Sequence, residues 1–293
     1  MSLSKNATSA AAVAKSHGEL TDNQQETPLM LISPNLINHK WGILRDYTPN
    51  TMEFSSDLVK LIAMLYTDGC VSKHRLNSWR ITFSNSSRTA IDLFIDSLVS
   101  VFGVSKNRVK VTMMMDRYYF AVLTSKEIGK WLIDRFGTFR TLKFKNGKYP
   151  PASIPVDLLI TTGNVQTFLK IVFSMDGGVK FYVANNKGNY KWLEKNISLA
   201  CHHPRLRKQY KKLLKSIGVK SVNITADNVI KIRRKENLEK FAKEIGFING
   251  IATTRHSKFW IGVSKNKVLQ MMVDSYRNPS EYISLINSKM VKI

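Results

Sequence analysis

Two carboxylates stand out in this sequence. Asp68 closes the stretch Leu61-Ile62-Ala63-Met64-Leu65-Tyr66-Thr67-Asp68-Gly69, and Asp176 closes Leu169-Lys170-Ile171-Val172-Phe173-Ser174-Met175-Asp176-Gly177. Each stretch is an apolar run that reads as a helix, with the glycine expected to supply a left-handed stop. A helix C-terminus already carries partial negative charge, so an acid there is unfavourable on its own. Two such acids in equivalent settings, 108 residues apart, point to a cation held between them.

The elements around them repeat. Ser55-Ser56-Asp57 offers N-cap residues for the first helix. After Gly69 the apolar period changes to two, which predicts strands turning over 75–78. A helix over 88–102 follows, stopped by Gly103, then strands over 108–123 and a helix over 125–136, stopped by Gly137. Residues 150–164 hold Pro150, Pro151, Pro155 and Gly163 and read as a linker between a first half, 51–149, and a second, 165–293. The order then recurs: helix 165–175, strands 178–184 and 192–200, helix 204–217, strands near 221–225 and 228–233, helix 236–245. A further strand is expected over 257–263 and a helix over 265–276. The fold class is α+β, two αββαββα halves from an internal duplication. Residues 1–50 are expected to be an N-terminal extension, partly disordered.

The duplicated stretches resemble the LAGLIDADG homing endonucleases of the monomeric, two-motif type. The first copy matches at Leu61, Leu65, Asp68 and Gly69, and the second at Leu169, Asp176 and Gly177, departing at Lys170, Ile171 and Met175. The resemblance implies two pseudo-symmetric halves with saddle-shaped antiparallel sheets for DNA and both motif helices packed at the central interface. It implies a monomeric, intron-encoded, site-specific endonuclease that hydrolyses one phosphodiester per strand of a long, weakly palindromic site, leaving short 3′ overhangs. The alternatives on the same fold are an RNA maturase that assists splicing of its own intron, with intron RNA as partner, and a DNA-binding regulator without cleavage.

Phosphodiester hydrolysis builds negative charge that hard divalent cations neutralise, and Mg²⁺ prefers carboxylate oxygens and retained water. Asp68 and Asp176 are the candidate ligands, supported by the carbonyls of Thr67 and Met175, with Mn²⁺ or Ca²⁺ able to substitute for binding. The resemblance also implies a basic residue at each active site. Lys145, then Lys143, fits in the first half, and Lys258 in the second, with Arg255 and Lys265 as other choices.

Strand parity selects the residues that would meet DNA. In the first half these are Ser72, His74, Arg80, Thr82, Ser84, Arg108, Lys110, Thr112 and Tyr119. In the second they are Lys180, Tyr182, Trp192, Glu194, Asn196, Ser198, Asn223, Thr225, Lys231 and Arg233. A two-stranded ribbon fits the major groove, where mixed donors and acceptors can read base edges.

Charge agrees with a polyanionic partner. The formal net charge is +24, and residues 1–50 contribute none of it. Residues 51–165 hold 16 basic and 9 acidic residues, and 166–293 hold 25 and 8. Such an excess in a folded region points to nucleic acid. Two cysteines, Cys70 and Cys201, exclude a disulfide framework, and Cys201-His202-His203 lacks a second cluster for zinc. No apolar run is long enough for a membrane span, so a soluble intracellular protein is expected. None of the 21 acidic residues has Lys two positions later, which removes the signature of the PD-(D/E)xK nucleases.

Overall fold

The computed structural model describes residues 55–75, 77–115, 117–185, 191–220, 222–254, 257 and 259–290, all within one compact unit, Tyr47–Ile293. The proposed N-terminal extension, 1–50, lies outside the described residues.

The first half runs α1 (Ser56–Tyr66), β1 (Gly69–Arg75), β2 (Ser78–Asn85), α2 (Arg88–Phe102), β3 (Lys110–Met114), β4 (Tyr118–Thr124) and α3 (Lys126–Phe136). The second runs α4 (Thr162–Met175), β5 (Gly177–Asn185), β6 (Lys191–Ala200), α5 (Pro204–Ser216), β7 (Val222–Ile224), β8 (Val229–Ile232) and α6 (Lys235–Glu244). Helices α7 (Lys265–Asp274) and α8 (Pro279–Met290) extend it. Each half builds one antiparallel sheet of four strands, ordered β1-β2-β4-β3 and β5-β6-β8-β7. The identical order gives the duplication a structural form.

Helix α1 starts where Ser55 accepts a hydrogen bond from the Leu58 amide. Leu58, Val59 and Leu61–Tyr66 are all buried, because α1 lies between α4, α2 and its own sheet. A helix apolar on every side needs partners on every side. Each fully buried side chain of this size contributes about 1.5–3 kcal/mol. Lys170, where the second motif departs from the pattern, is exposed on α4 and disturbs nothing in the interface. Met175 turns across the interface instead, its sulfur 3.6 Å from the Asn85 Nδ2.

The two motif glycines differ from expectation. Neither Gly69 nor Gly177 has a positive φ. Each opens a strand directly after its helix, and the chain turns back so tightly that a Cβ would clash. At Gly69 it would lie 2.6 Å from the Leu65 Cα, and at Gly177 2.4 Å from the Phe173 carbonyl oxygen. Glycine is required here by close approach rather than by handedness.

Two further expectations are corrected. The described residues of 257–263 form no strand: 259–262 form turns, and among the described residues the ladder contact near them is the bridge Ala252–Ser264. Trp260 explains this, since its ring is buried and stacks on Phe181 under the second sheet while its indole N–H donates to the Phe181 carbonyl. Arg108 belongs to a 3₁₀ turn, Lys106–Arg108, and not to a strand. The segment 150–164, read as the linker, packs closely against the protein. Ala152, Ile154 and Leu158 are buried. Gln209 of α5 donates to the Ile154 carbonyl and accepts from its amide, and His203 bonds the Pro150 carbonyl at 2.8 Å. Helix α4 already begins inside this segment, at Thr162.

Gly177→Ala is expected to force the α4–β5 turn open and to cost about 1–3 kcal/mol, as overpacking does. Urea unfolding should show a lower midpoint with unchanged slope. An unaltered midpoint would mean that the turn has slack.

Candidate metal centre and nucleic-acid interface

The ends of α1 and α4 bring Asp68 and Asp176 together. Asp68 is half-buried, and its carboxylate accepts from the Asn85 Nδ2 at 2.7 Å. Asn85 ends β2, and its Oδ1 accepts from the Ser87 amide, which fixes the amide's orientation. Asp176 opens into a recess of about 250 Å³ lined also by Thr67, Thr141, Leu142, Cys201 and His203. Asp176 is exposed by surface area, while the groups packed around its carboxyl still strip it of much of its water.

Burial pushes the Asp176 carboxyl up to about 7, the Asp68 charge pushes the same way, and Lys265 opposes both. Asp68 is also raised by burial, against the Asn85 hydrogen bond and Lys265. Lys265, at the start of α7, is only 5% exposed. Its Nζ donates to the carbonyls of Ser174 at 2.6 Å and Gly177 at 2.7 Å. Burial lowers it to about 8, opposed by the two aspartates. A buried ammonium thus sits on the negative end of α4, beside the acid that end disfavours. Two of its three N–H donors are committed to carbonyls, leaving the third for a carboxylate or water.

The donor set fits a hard divalent cation. Two carboxylates that repel one another gain from a shared positive charge, and Mg²⁺ needs only one or two of them alongside water. Among the described residues no group of three or more His, Cys, Asp or Glu forms a metal-binding cluster. The two carboxylates suit a water-rich oxygen site. Thr67 and Met175 stand beside the two acids, and the Thr67 hydroxyl caps α1 by donating to the Ala63 and Met64 carbonyls.

The basic residues fall differently from the sequence reading. Lys258 and Arg255 lie outside the described residues. Lys143 stands over the Tyr149 ring, 5.1 Å from its centroid, and Lys145 is exposed. Among the described residues neither touches Asp68 or Asp176. Lys265 does the electrostatic work at the second motif. Lys265 was among the choices for the second half, but nothing in its spacing set it above Lys258. Asn85 was missed altogether, since an Asn at a strand end usually reads as a turn residue.

The register sorts the strand residues. Ser72 pairs with Arg80, and Thr82 and Ser84 pair with Val122 and Phe120 on the same face; Lys110 and Thr112 share it. Ile81, Phe83, Ala121 and Leu123 line the opposite, helix-covered face. Tyr119 pairs with Asn85 and lies on that helix side, so its placement among the outward residues is corrected. The bulge between Lys73 and Arg75 shifts the register at His74, which is exposed. In the second sheet Lys180, Tyr182, Trp192, Glu194, Asn223 and Lys231 share one face. Asn196 and Ser198 share it by register, but they are 2% and 8% exposed and are not available at the surface. Asn196 instead donates to Glu194, which also pairs with Arg233. Thr225 is turned inward on its own hairpin, bonding Asp227 and the Val229 carbonyl.

No protein-family model matches the sequence, nor does any curated protein. Solved structures do. The I-LtrWI LAGLIDADG homing endonuclease bound to target DNA superposes with a TM-score of 0.51, covering 82% of this chain and 98% of that one at 9% identity. The chain has the LAGLIDADG fold. The I-SmaMI LAGLIDADG homing endonuclease bound to cleaved DNA covers 81% of this chain and 96% of its own at 10% identity, with a TM-score of 0.48. A variant of I-DmoI with its target DNA and manganese covers 65% and 93% at 14% identity, with a TM-score of 0.42. In the LAGLIDADG fold of this chain, the two motifs are α1 and α4 with the acids that follow them. No helix among the described residues is long and apolar enough to cross a membrane.

The carboxylate pair carries a pH signature. Between the ordinary 3.8 and about 7, the folded chain holds a proton on Asp176 that the unfolded chain has released. Stability from this group therefore falls as pH rises through that window. Without divalent cations, Asp176→Asn should melt above the wild type at pH above about 7, and the gap should close toward pH 4. Thermal melts in chelator across this range check it. Parallel curves for the two proteins would remove the pair as a source of pH dependence.

Proposed function

We propose that this protein is a metal-dependent, site-specific double-strand DNA endonuclease acting as a monomer. The observation that carries this reading is the meeting of Asp68 and Asp176, one from each half, at the ends of the packed helices α1 and α4, each leading into one of two equivalent sheets. A twofold-related pair of acids suits the dyad of duplex DNA, with one phosphodiester cut per strand. The DNA-bound state of solved structures with this fold supports the same partner. The excess of basic residues in 51–293 supports it as well.

Asp68 and Asp176 would hold Mg²⁺, with the carbonyls of Thr67 and Met175 as supporting donors. A bound divalent cation supplies positive charge for the developing phosphorane and acidifies its own water. The protein's own groups prepare that state. Asn85 orients the Asp68 carboxylate. Lys265 holds positive charge beside Asp176. The recess at Thr67 and Asp176 admits solvent to the acids. The exposed residues of the outward sheet faces, among them Ser72, Arg80, Lys110, Lys180 and Tyr182, contact the duplex. The products are 5′-phosphate and 3′-hydroxyl ends with short 3′ overhangs.

Asp68→Asn and Asp176→Asn should each abolish double-strand cleavage while leaving binding, read by gel shift in Ca²⁺, largely intact. Efficient cutting of both strands by either variant would sink the assignment. Binding should also weaken steeply with added salt, and a flat response would argue against a phosphate-tracking surface.

The two motifs have unequal surroundings, and this gives a further expectation. Lys265→Met should slow one strand cut more than the other, by roughly 10²-fold or more as for loss of an electrostatic stabiliser. Nicked plasmid should then accumulate on a supercoiled substrate that carries the site. Equal slowing of both cuts would show that Lys265 serves the fold alone.

A further inference from the structure

We infer that the β3–β4 hairpin is an apolar wedge that enters the base stack between the two cut positions. The inference rests on the DNA-cleaving reading above and adds a residue-level element to it.

Register locates the hairpin. Strand β2 runs toward the acids and ends at Asn85, whose side chain holds Asp68. Asn85 pairs with Tyr119, so β3 and β4 turn beyond that same end of the sheet. Neighbouring strands lie about 5 Å apart, and β3 is two spacings from β2, which sets the turn about 10 Å or more from Asn85, at the acids' end of the sheet and not at its far end.

Composition makes the hairpin unusual. Met113, Met114 and Met115 are 55%, 50% and 84% exposed, and Tyr118 beside them is 45% exposed. Three successive apolar side chains in water add nothing to the core. The turn does not require them either. The equivalent β7–β8 hairpin closes with a Thr225–Asp227 side-chain bond and puts Asn228 in the left-handed region. In β3–β4 a methionine, Met115, takes a positive φ of 53°. That conformation is costly for a residue of this size and suits Asn or Gly better. Kept strain at an exposed site at the acids' end of the sheet points to function.

The surroundings point to the occupant. Lys110 and Arg117 lie on either side of the methionines and are exposed, and with Asp116 beside Arg117 the hairpin keeps a net positive charge of one. A partner with a negative rim and an apolar, layered interior matches both features, and a stacked duplex has them. Methionine is slim, unbranched and polarizable. Apolar wedges of this kind unstack a base step from the minor groove and kink the duplex. The polar β7–β8 tip offers no equivalent, so the wedge works from the first half only.

The test uses the full chain in Ca²⁺ and a duplex recovered by its own binding from a randomised library. 2-Aminopurine is placed in turn at each position between the mapped cuts, and fluorescence is read at saturating protein. The wild type should give a several-fold rise at one or two adjacent positions, and M114Q/M115Q should lose it. Both substitutions are at exposed positions, and a thermal melt verifies the fold of the variant. A bound wild type with no rise, or a variant with an equal rise, overturns the wedge while leaving the endonuclease reading in place. Recovery of no duplex at all overturns both.

Discussion

The structure depends on placing two like charges at the ends of two buried helices. Helices α1 and α4 bury most of their surfaces against each other and their own sheets. This brings both C-termini, each with its own negative dipole end, to one place. The carboxylates that follow add to the repulsion. Nothing in the apolar interface offsets this, so the offset must come from polar groups that the rest of the chain delivers. Lys265 and Asn85 are those groups. The residual repulsion is the feature a divalent cation would exploit.

The halves solve the same problem in different ways. At Asp68 the first half supplies the bond to the carboxylate: Asn85 binds it, with its Nδ2 also 3.6 Å from the Met175 sulfur, and Thr67 caps the helix. At Asp176 a buried lysine from α7 binds the carbonyls of Ser174, in the last turn of α4, and Gly177, the first residue of β5. The first half has no counterpart of α7, since its chain leaves α3 for the strap over 137–161. Duplication therefore set the backbone plan, and the extension after α6 broke the symmetry of the chemistry. The strap is itself anchored to α5 by Gln209 and His203, which ties the halves together at a second place.

Much of the fold was legible because period and punctuation are local. The helix periods, the Gly stops at 103, 137, 218 and 246, and the alternation in β1, β2 and β5 all operate within a few residues. What failed did so where a distant group intervened. Trp260 reaches back to Phe181 and turns a strand-like segment into turns. Tyr119 was misassigned because a short strand with mixed residues has no clear parity until its register is known. Asn196 follows the parity rule and is still buried, because alternation predicts a side and not its accessibility.

The sequence by itself determined the duplication, the two acids, and the glycines that follow them. It did so because apolar runs of helical length and turn residues carry their meaning in the neighbouring chain. Only the tertiary structure decided why those glycines are needed, which lysine places its charge near the acids, and what holds Asp68. The glycines answer to the returning strand, through the atoms of Phe173 and Leu65. Lys265 acts across 88 or more residues of chain. Such contacts are set by how whole elements stack, and no spacing along the chain encodes them.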